Sequence, residues 1–320
     1  MTSIDRRVFL AGLTGLLVLP PRRAPAYAED VPRSPFGPAA TAEEVTAGID
    51  LGGKTALVTG CNSGIGYETM RVLALRGAHV LGTARNAMKG MQACMSVEGH
   101  CTPLVLELTD FDSVVACADA VRALDRPLDI VVLNAGVLFR EHREVNGLEM
   151  HFVVNHLGHF LLTHRLLDMI TAAPQGRVVV VSSRVHDRAP PEGIRFDDLS
   201  GRTWDFSAYG HSKLANGLFS LELARRFADT AATSNSLHPG SVDTNIFRNA
   251  SRNNPGRELK DLAEGAATQC YLATHPSLAD VSGYYFADCN PVEPSPQMQD
   301  SALAAKLWAV SEELVADYLA

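Results

Sequence analysis

Two residues four apart, Tyr209 and Lys213 in Tyr209-Gly-His-Ser-Lys213, have types and spacing suited to proton transfer. On a helix, side chains at i and i+4 share a face. A free tyrosine hydroxyl has a pKa near ~10 and is a poor acid or base at neutral pH. A neighbouring ammonium favours the phenolate and is expected to lower that value. Such a phenol can pass a proton to or from a substrate oxygen. A second feature is the loop Thr59-Gly60-Cys61-Asn62-Ser63-Gly64-Ile65-Gly66. Glycines between a strand and a helix let the backbone approach a pyrophosphate, which sits on the free N–H groups of the helix N-terminus.

The elements needed to hold these residues are legible around them. Short apolar runs at 54–59, 78–83, 103–108, 129–133, 177–181 and 233–238 read as strands, with a seventh at 283–286. Helical patterns at 65–76, 112–124, 147–170 and 207–227 alternate with them. Buried parallel strands with helices on both faces follow, an α/β doubly wound Rossmann sheet of about seven strands in a single domain. The glycine loop then lies between the first strand and its helix, the context that a dinucleotide-binding loop demands. Versions that bind NAD place an acid about 20 residues after the loop. Here the second strand runs into Thr83-Ala84-Arg85, with no acid, and Arg85 lies 19 residues after Gly66. A guanidinium can take a 2′-phosphate in a fork, so NADP(H) is expected rather than NAD(H).

Three more segments complete a set: Leu133-Asn134-Ala135-Gly136, Ser182-Ser183 and the Tyr209–Lys213 helix start. With the glycine loop they resemble the short-chain dehydrogenase/reductase family over residues 50–320. Val154-Asn155-His156-Leu157-Gly158-His159-Phe160 and His238-Pro239-Gly240 are similar to retinol dehydrogenases. The tail around Tyr285-Phe286 and Leu307-Trp308 is also similar to the WW-domain-containing oxidoreductase, without a WW domain. Phe36-Gly37 with Thr41–Lys54 resembles the Tic32-like branch.

The resemblance implies a catalytic set of Asn155, Ser183, Tyr209 and Lys213. It makes Asn155 the anchor of a proton-relaying water and Ser183 a hydrogen bond to the substrate oxygen. Lys213 also holds the nicotinamide ribose. The cofactor-binding residues it implies are Gly60, Asn62, Ser63, Gly64, Ile65, Gly66, Arg85, Leu108, Asn134, Ala135, Gly136, Tyr209, Lys213, Pro239, Gly240 and Thr244. At the end of the third strand relatives read Leu-Asp-Leu, whereas this chain has Leu106-Glu107-Leu108. Glu107 then reaches the adenine differently, or Asp110 compensates. The expected reaction interconverts an alcohol with an aldehyde or ketone. The segments 186–205 and 241–260 carry no charged cluster that calls for an acidic substrate, so retinoid-, steroid- or fatty or aromatic carbonyl-like compounds fit. The rival reading is a nucleotide-binding sensor of the same fold without turnover.

Composition narrows the class further. A net charge of −8 and 20 % charged residues provide no basic footprint for nucleic acid. The first 28 residues differ from the rest: Arg6-Arg7, an apolar run from Val8 to Leu19, then Ala26-Tyr27-Ala28. That pattern reads as a secretory signal resembling a twin-arginine leader, and export is expected; a cytoplasmic or tethered enzyme is the alternative. Twelve apolar residues fall short of the about 20 that a membrane-spanning helix needs. Residues 29–50 read as a linker with a short helix opened by a Thr41–Glu44 capping box, and 51–320 as the catalytic domain. His151, His156, His159 and His164 crowd one helix without a carboxylate or thiolate beside them, so no metal is expected. Cys94 and Cys101 could pair after export. A homodimer through the helices 147–170 and 207–227 is what the resemblance suggests.

Overall fold

The apolar runs become strands because alternate side chains find a hydrophobic layer on each side. Ala56 and Val58 point into one core cluster and Leu57 into the other. The computed structural model describes residues 27–246 and 259–319. The leader up to Ala26 and residues 247–258 of the segment 241–260 lie outside the described residues.

In chain order the strands are β1 (Thr55–Val58), β2 (His79–Ala84), β3 (His100–Val105), β4 (Ile130–Leu133), β5 (Glu144–Val145), β6 (Leu148–Glu149), β7 (Arg177–Val181), β8 (Thr233–His238), β9 (Tyr285–Ala287) and β10 (Asn290–Pro291). Eight form one sheet in the order β10-β9-β8-β7-β4-β1-β2-β3. All pairings in it are parallel except β9–β10. The sheet order reverses between β1 and β4, where a doubly wound sheet opens its ligand crevice.

On one face pack α1 (Ala42–Val45), α2 (Gly64–Leu75) and α8 (Leu262–Thr274), burying Met70, Leu73 and Tyr271. The other face carries α4 (Phe111–Arg122), α5 (Gly158–His164), α7 (Ala208–Arg226) and α9 (Ser301–Leu314), burying Phe152, Leu218 and Trp308. The capping box at Thr41 and Glu44 is present as expected.

Several elements differ from the sequence reading. The third strand is shifted three residues earlier, to His100–Val105. Its register with β2 decides this, and the apolar residues that follow turn toward α4. A helix that the sequence reading omitted, α3 (Ala87–Met95), follows Arg85; the Asn86 side chain caps it by accepting from the Lys89 amide. The single helix expected over 147–170 is four pieces. Asn146 and Gly147, both at positive φ, form the two-residue turn of the β5–β6 hairpin. A π-helical stretch (Phe152–Leu157) leads into α5, and a break at Arg165–Leu166 precedes α6 (Leu167–Thr171).

The dimer surface expected from the helices 147–170 and 207–227 is covered by the chain itself. Trp308 of α9 packs edge-on against Phe160 at 4.9 Å, lies 5.9 Å from Phe219 and is covered by the Arg226 guanidinium at 3.8 Å. Ser311 of α9 meets His156 Nε2 at 2.8 Å. Cys94 of α3 and Cys101 of β3 are joined as a disulfide, while Cys61, Cys117, Cys270 and Cys289 are free and buried. Among the described residues no helix is long and apolar enough to cross a membrane, and no three or more of His, Cys, Asp and Glu gather as a set that could hold a metal ion.

Candidate active site

The glycine loop owes its shape to a hydroxyl. Thr59 Oγ1 accepts from the amides of Asn134 and Ala135, both at 2.9 Å. With those positions used, it donates to His159 Nε2 at 3.0 Å. His159 Nδ1 in turn lies 3.1 Å from the Asn155 carbonyl, and burial holds its pKa down to about 4, so the ring is neutral. The Asn134 carboxamide closes the loop by donating to Thr59 O at 2.8 Å. A Cβ on Gly66 would run into Asn134 Nδ2 and the Gly60 carbonyl, and Gly60 has φ +75°.

This end of the sheet fits a dinucleotide on three observations. The loop is a cradle that side chains would fill. The N-cap Ser63 makes no side-chain hydrogen bond to the amides that open α2, whose first turn holds Gly64, Ile65 and Gly66. Arg85, just past β2, is exposed and has no hydrogen-bond or ion-pair partner among the described residues. Asn62 and Ser63 lie exposed on the same loop. Thr244 approaches from the far side, 3.7 Å from where a Gly64 Cβ would stand. Pro239 and Gly240 follow β8, and Gly240, at φ +95°, is covered by the Lys260 side chain.

Glu107 lies half-buried at the turn before α4. Its Oε1 accepts from the amide and hydroxyl of Thr109, and Asp110 caps α4 through the amides of Asp112 and Ser113. One oxygen of each carboxylate serves the turn before α4. Leu108 packs against Gly158.

The four residues of the expected catalytic set converge beyond the β4 and β7 ends. Asn155 is fully buried in the π-helical stretch, a conformation often found at functional positions. Its Nδ2 donates to Ser212 Oγ at 2.9 Å, and Ser212 donates to the Tyr209 carbonyl at 2.8 Å. The Tyr209 phenol lies near the Ser183 hydroxyl, which accepts from the Val185 amide at 3.2 Å. Lys213 is buried and donates from Nζ to Val181 O at 2.8 Å, a carbonyl it shares with Asn216.

The expected lowering of the Tyr209 pKa is not found. Burial pushes the phenol up to about 12, opposed only by the Ser183 hydroxyl, and burial pulls Lys213 down to about 7. The reason is placement: the Lys213 ammonium is turned to Val181 O, and it lies 5.6 Å from the centre of the tyrosine ring.

Residues to which the sequence assigns no catalytic or binding role surround this set. Glu149 and His151 are buried together, with Oε1 2.6 Å from Nδ1, and His151 packs edge-on to the Tyr209 ring at 6.0 Å. His186 Nδ1 lies 2.7 Å from Ser183 O. The sequence signals for these were the turn pair Asn146-Gly147 ahead of Glu149 and the spacing of His186 three residues after Ser183.

Residues 54–255 match the model of the short chain dehydrogenase family. The chain is 41 % identical over 304 residues to the short-chain dehydrogenase TIC 32 A, chloroplastic, of Brassica napus, covering 88 % of this chain and 95 % of that one. It is 39 % identical over 283 residues to retinol dehydrogenase 12 of Mus musculus, covering 84 % and 89 %. A solved structure from Mycobacterium paratuberculosis superposes with a TM-score of 0.71 at 32 % identity, covering 85 % of this chain and 97 % of that one.

Proposed function

The chain belongs to the short chain dehydrogenase family of oxidoreductases, and from that premise we propose that it uses NADP(H) to interconvert an apolar alcohol and its aldehyde or ketone. The observation that carries the reading is the meeting of Tyr209, Ser183, Lys213 and Asn155 beside the glycine loop at one end of the sheet. Arg85, exposed and without a partner among the described residues, supports a 2′-phosphate. The nicotinamide, when bound, supplies or takes the hydride.

The chain's own residues handle the oxygen. The neighbouring hydroxyls of Tyr209 and Ser183 are the two groups offered to a carbonyl oxygen. A phenol held near pKa 12 is protonated at neutral pH, so Tyr209 holds the proton that a carbonyl oxygen needs on reduction. Lys213, drawn down to about 7 by burial, changes protonation near neutral pH, and Asn155 fixes the backbone on which Tyr209 rides.

An apolar substrate is supported by the pairing of charges over the 192–202 part of the loop. Arg195 pairs with Glu192 and Asp197, Arg202 with Glu144, and Asp198 accepts from Ser200 and Thr203.

The test follows NADPH absorbance with residues 29–320 against retinal, steroid ketones, and aliphatic and aromatic aldehydes, with Tyr209→Phe as control. Turnover that falls about 1,000-fold in the control carries the reading. NADPH binding without turnover on any carbonyl overturns it in favour of a nucleotide sensor. The twin-arginine-like leader supports export of the folded protein; full-length chain found in the cytosol on fractionation sinks that part.

A further inference from the structure

Three buried histidines stand around Tyr209, and each turns Nε2 toward the backbone amide of a different loop. His151 Nε2 accepts from Phe139 N at 2.9 Å, on the loop after β4. His211 Nε2, on α7, accepts from Arg195 N at 3.1 Å, on the long loop after β7. His186 Nε2 accepts from Ser295 N at 3.0 Å, on the segment after β10. All three are at most 5 % exposed. The donor nitrogens of two of them reach the site's own frame: His151 Nδ1 meets the Glu149 carboxylate and His186 Nδ1 meets the Ser183 carbonyl.

The loops after β4 and β7 leave the C-terminal ends of parallel strands, where an open α/β sheet receives its ligand, and the segment after the antiparallel β10 joins them through the contact of Ser295 with His186. A ring nitrogen can accept only when it carries no proton. Burial holds His186 below its usual range and His211 down to about 3, which keeps both as acceptors. A fourth contact ties the same wall together: the Glu149 amide donates to Leu199 O at 2.8 Å. Gly201, at φ +76°, has no room for a Cβ beside the Glu149 side chain.

We infer that His151, His186 and His211 are positioning residues that pin the three loops walling the substrate side of Tyr209 through single acceptor nitrogens. The inference rests on the carbonyl-reductase reading for its consequence in catalysis, and on the hydrogen bonds alone for its consequence in loop order.

Glutamine and asparagine separate the pin from bulk. The glutamine oxygen reaches the Nε2 position and the asparagine oxygen only the Nδ1 position, with both side chains polar and similar in size. Each histidine is replaced by each, and amide hydrogen exchange is read by mass spectrometry over 137–143, 193–199 and 292–298. The expected result is exchange about tenfold faster in the matching loop alone for His151→Asn, His211→Asn and His186→Asn, with near wild-type exchange for the glutamine variants. Turnover by the asparagine variants should show a raised KM for the carbonyl with the NADPH dissociation constant unchanged.

Unchanged exchange, or an increase spread over the whole chain, overturns the inference. Loop-specific exchange with unaltered KM overturns the positioning of substrate. A wild type inert on every carbonyl overturns the proposed activity instead, and the exchange pattern still decides whether the pins exist.

Discussion

Asn155 and Val137 hold each other by two hydrogen bonds, the Val137 amide donating to Asn155 Oδ1 at 2.8 Å and Asn155 Nδ2 donating to Val137 O at 3.2 Å. The side chain thus acts as a strand-like partner for a loop that has none. It fixes the exit of β4 against α7, since the same Nδ2 also reaches Ser212. Asn155→Asp keeps the acceptor but sets a carboxylate oxygen against two groups that expect a donor. We predict a loss of about 1–3 kcal/mol in stability by urea denaturation, together with a fall in turnover. Asn155→Asp with wild-type stability would remove this role.

Arg85 is exposed at the end of β2, beside the glycine loop, whose Cys61 amide donates to Thr83 O at 2.8 Å. Arg85→Ala should weaken NADPH binding about 10–100-fold, the worth of a charge-assisted hydrogen bond, and leave NADH binding unchanged. Fluorescence titration with both cofactors checks it. Equal weakening for the two would place Arg85 on the shared pyrophosphate or adenosine rather than on a 2′-phosphate.

Lys213 gives the cofactor-free protein a pH dependence with a definite sign. Its pKa is near 7 in the folded chain against about 10.5 unfolded, so between those values the unfolded state binds the extra proton. Stability should therefore rise with pH across this window, by about 1.4 kcal/mol per unit for this group, and the gain is lost as pH falls toward 7. Thermal melts at pH 7, 8 and 9 for wild type and Lys213→Met test it. Parallel curves for the two proteins would show that Lys213 does not titrate there.

Trp308 lies at the centre of the contact between α9 and the π-helical stretch, α5 and α7, and is 2 % exposed. Trp308→Ala should lower stability by about 3–5 kcal/mol. Because α9 occupies the surface through which these helices would pair, light scattering of the wild type should give the mass of one chain, at most 34.4 kDa. A mass twice that would require a dimer built on another face.

What the amino-acid sequence determined by itself is local. The strand–glycine loop–helix at 55–75, the Tyr209–Lys213 spacing on α7 and the capping box at Thr41 each depend on residues within a turn or two of one another. Short-range sterics and periodicity suffice for these, so they were legible. Only the tertiary structure decided where the Lys213 ammonium points, because its acceptor, Val181 O, lies 32 residues away. It also decided the start of β3, which is set by pairing with β2 rather than by its own hydrophobicity. The break-up of the run 147–170 had a local signal in Asn146-Gly147, but its π-helical stretch is held by Asn155 bonding a loop and by His159 meeting Thr59, 100 residues away. The histidine pins are the same case. A buried polar group must find a partner, and which amide it finds is a fact of chain crossing that no window of neighbouring residues contains.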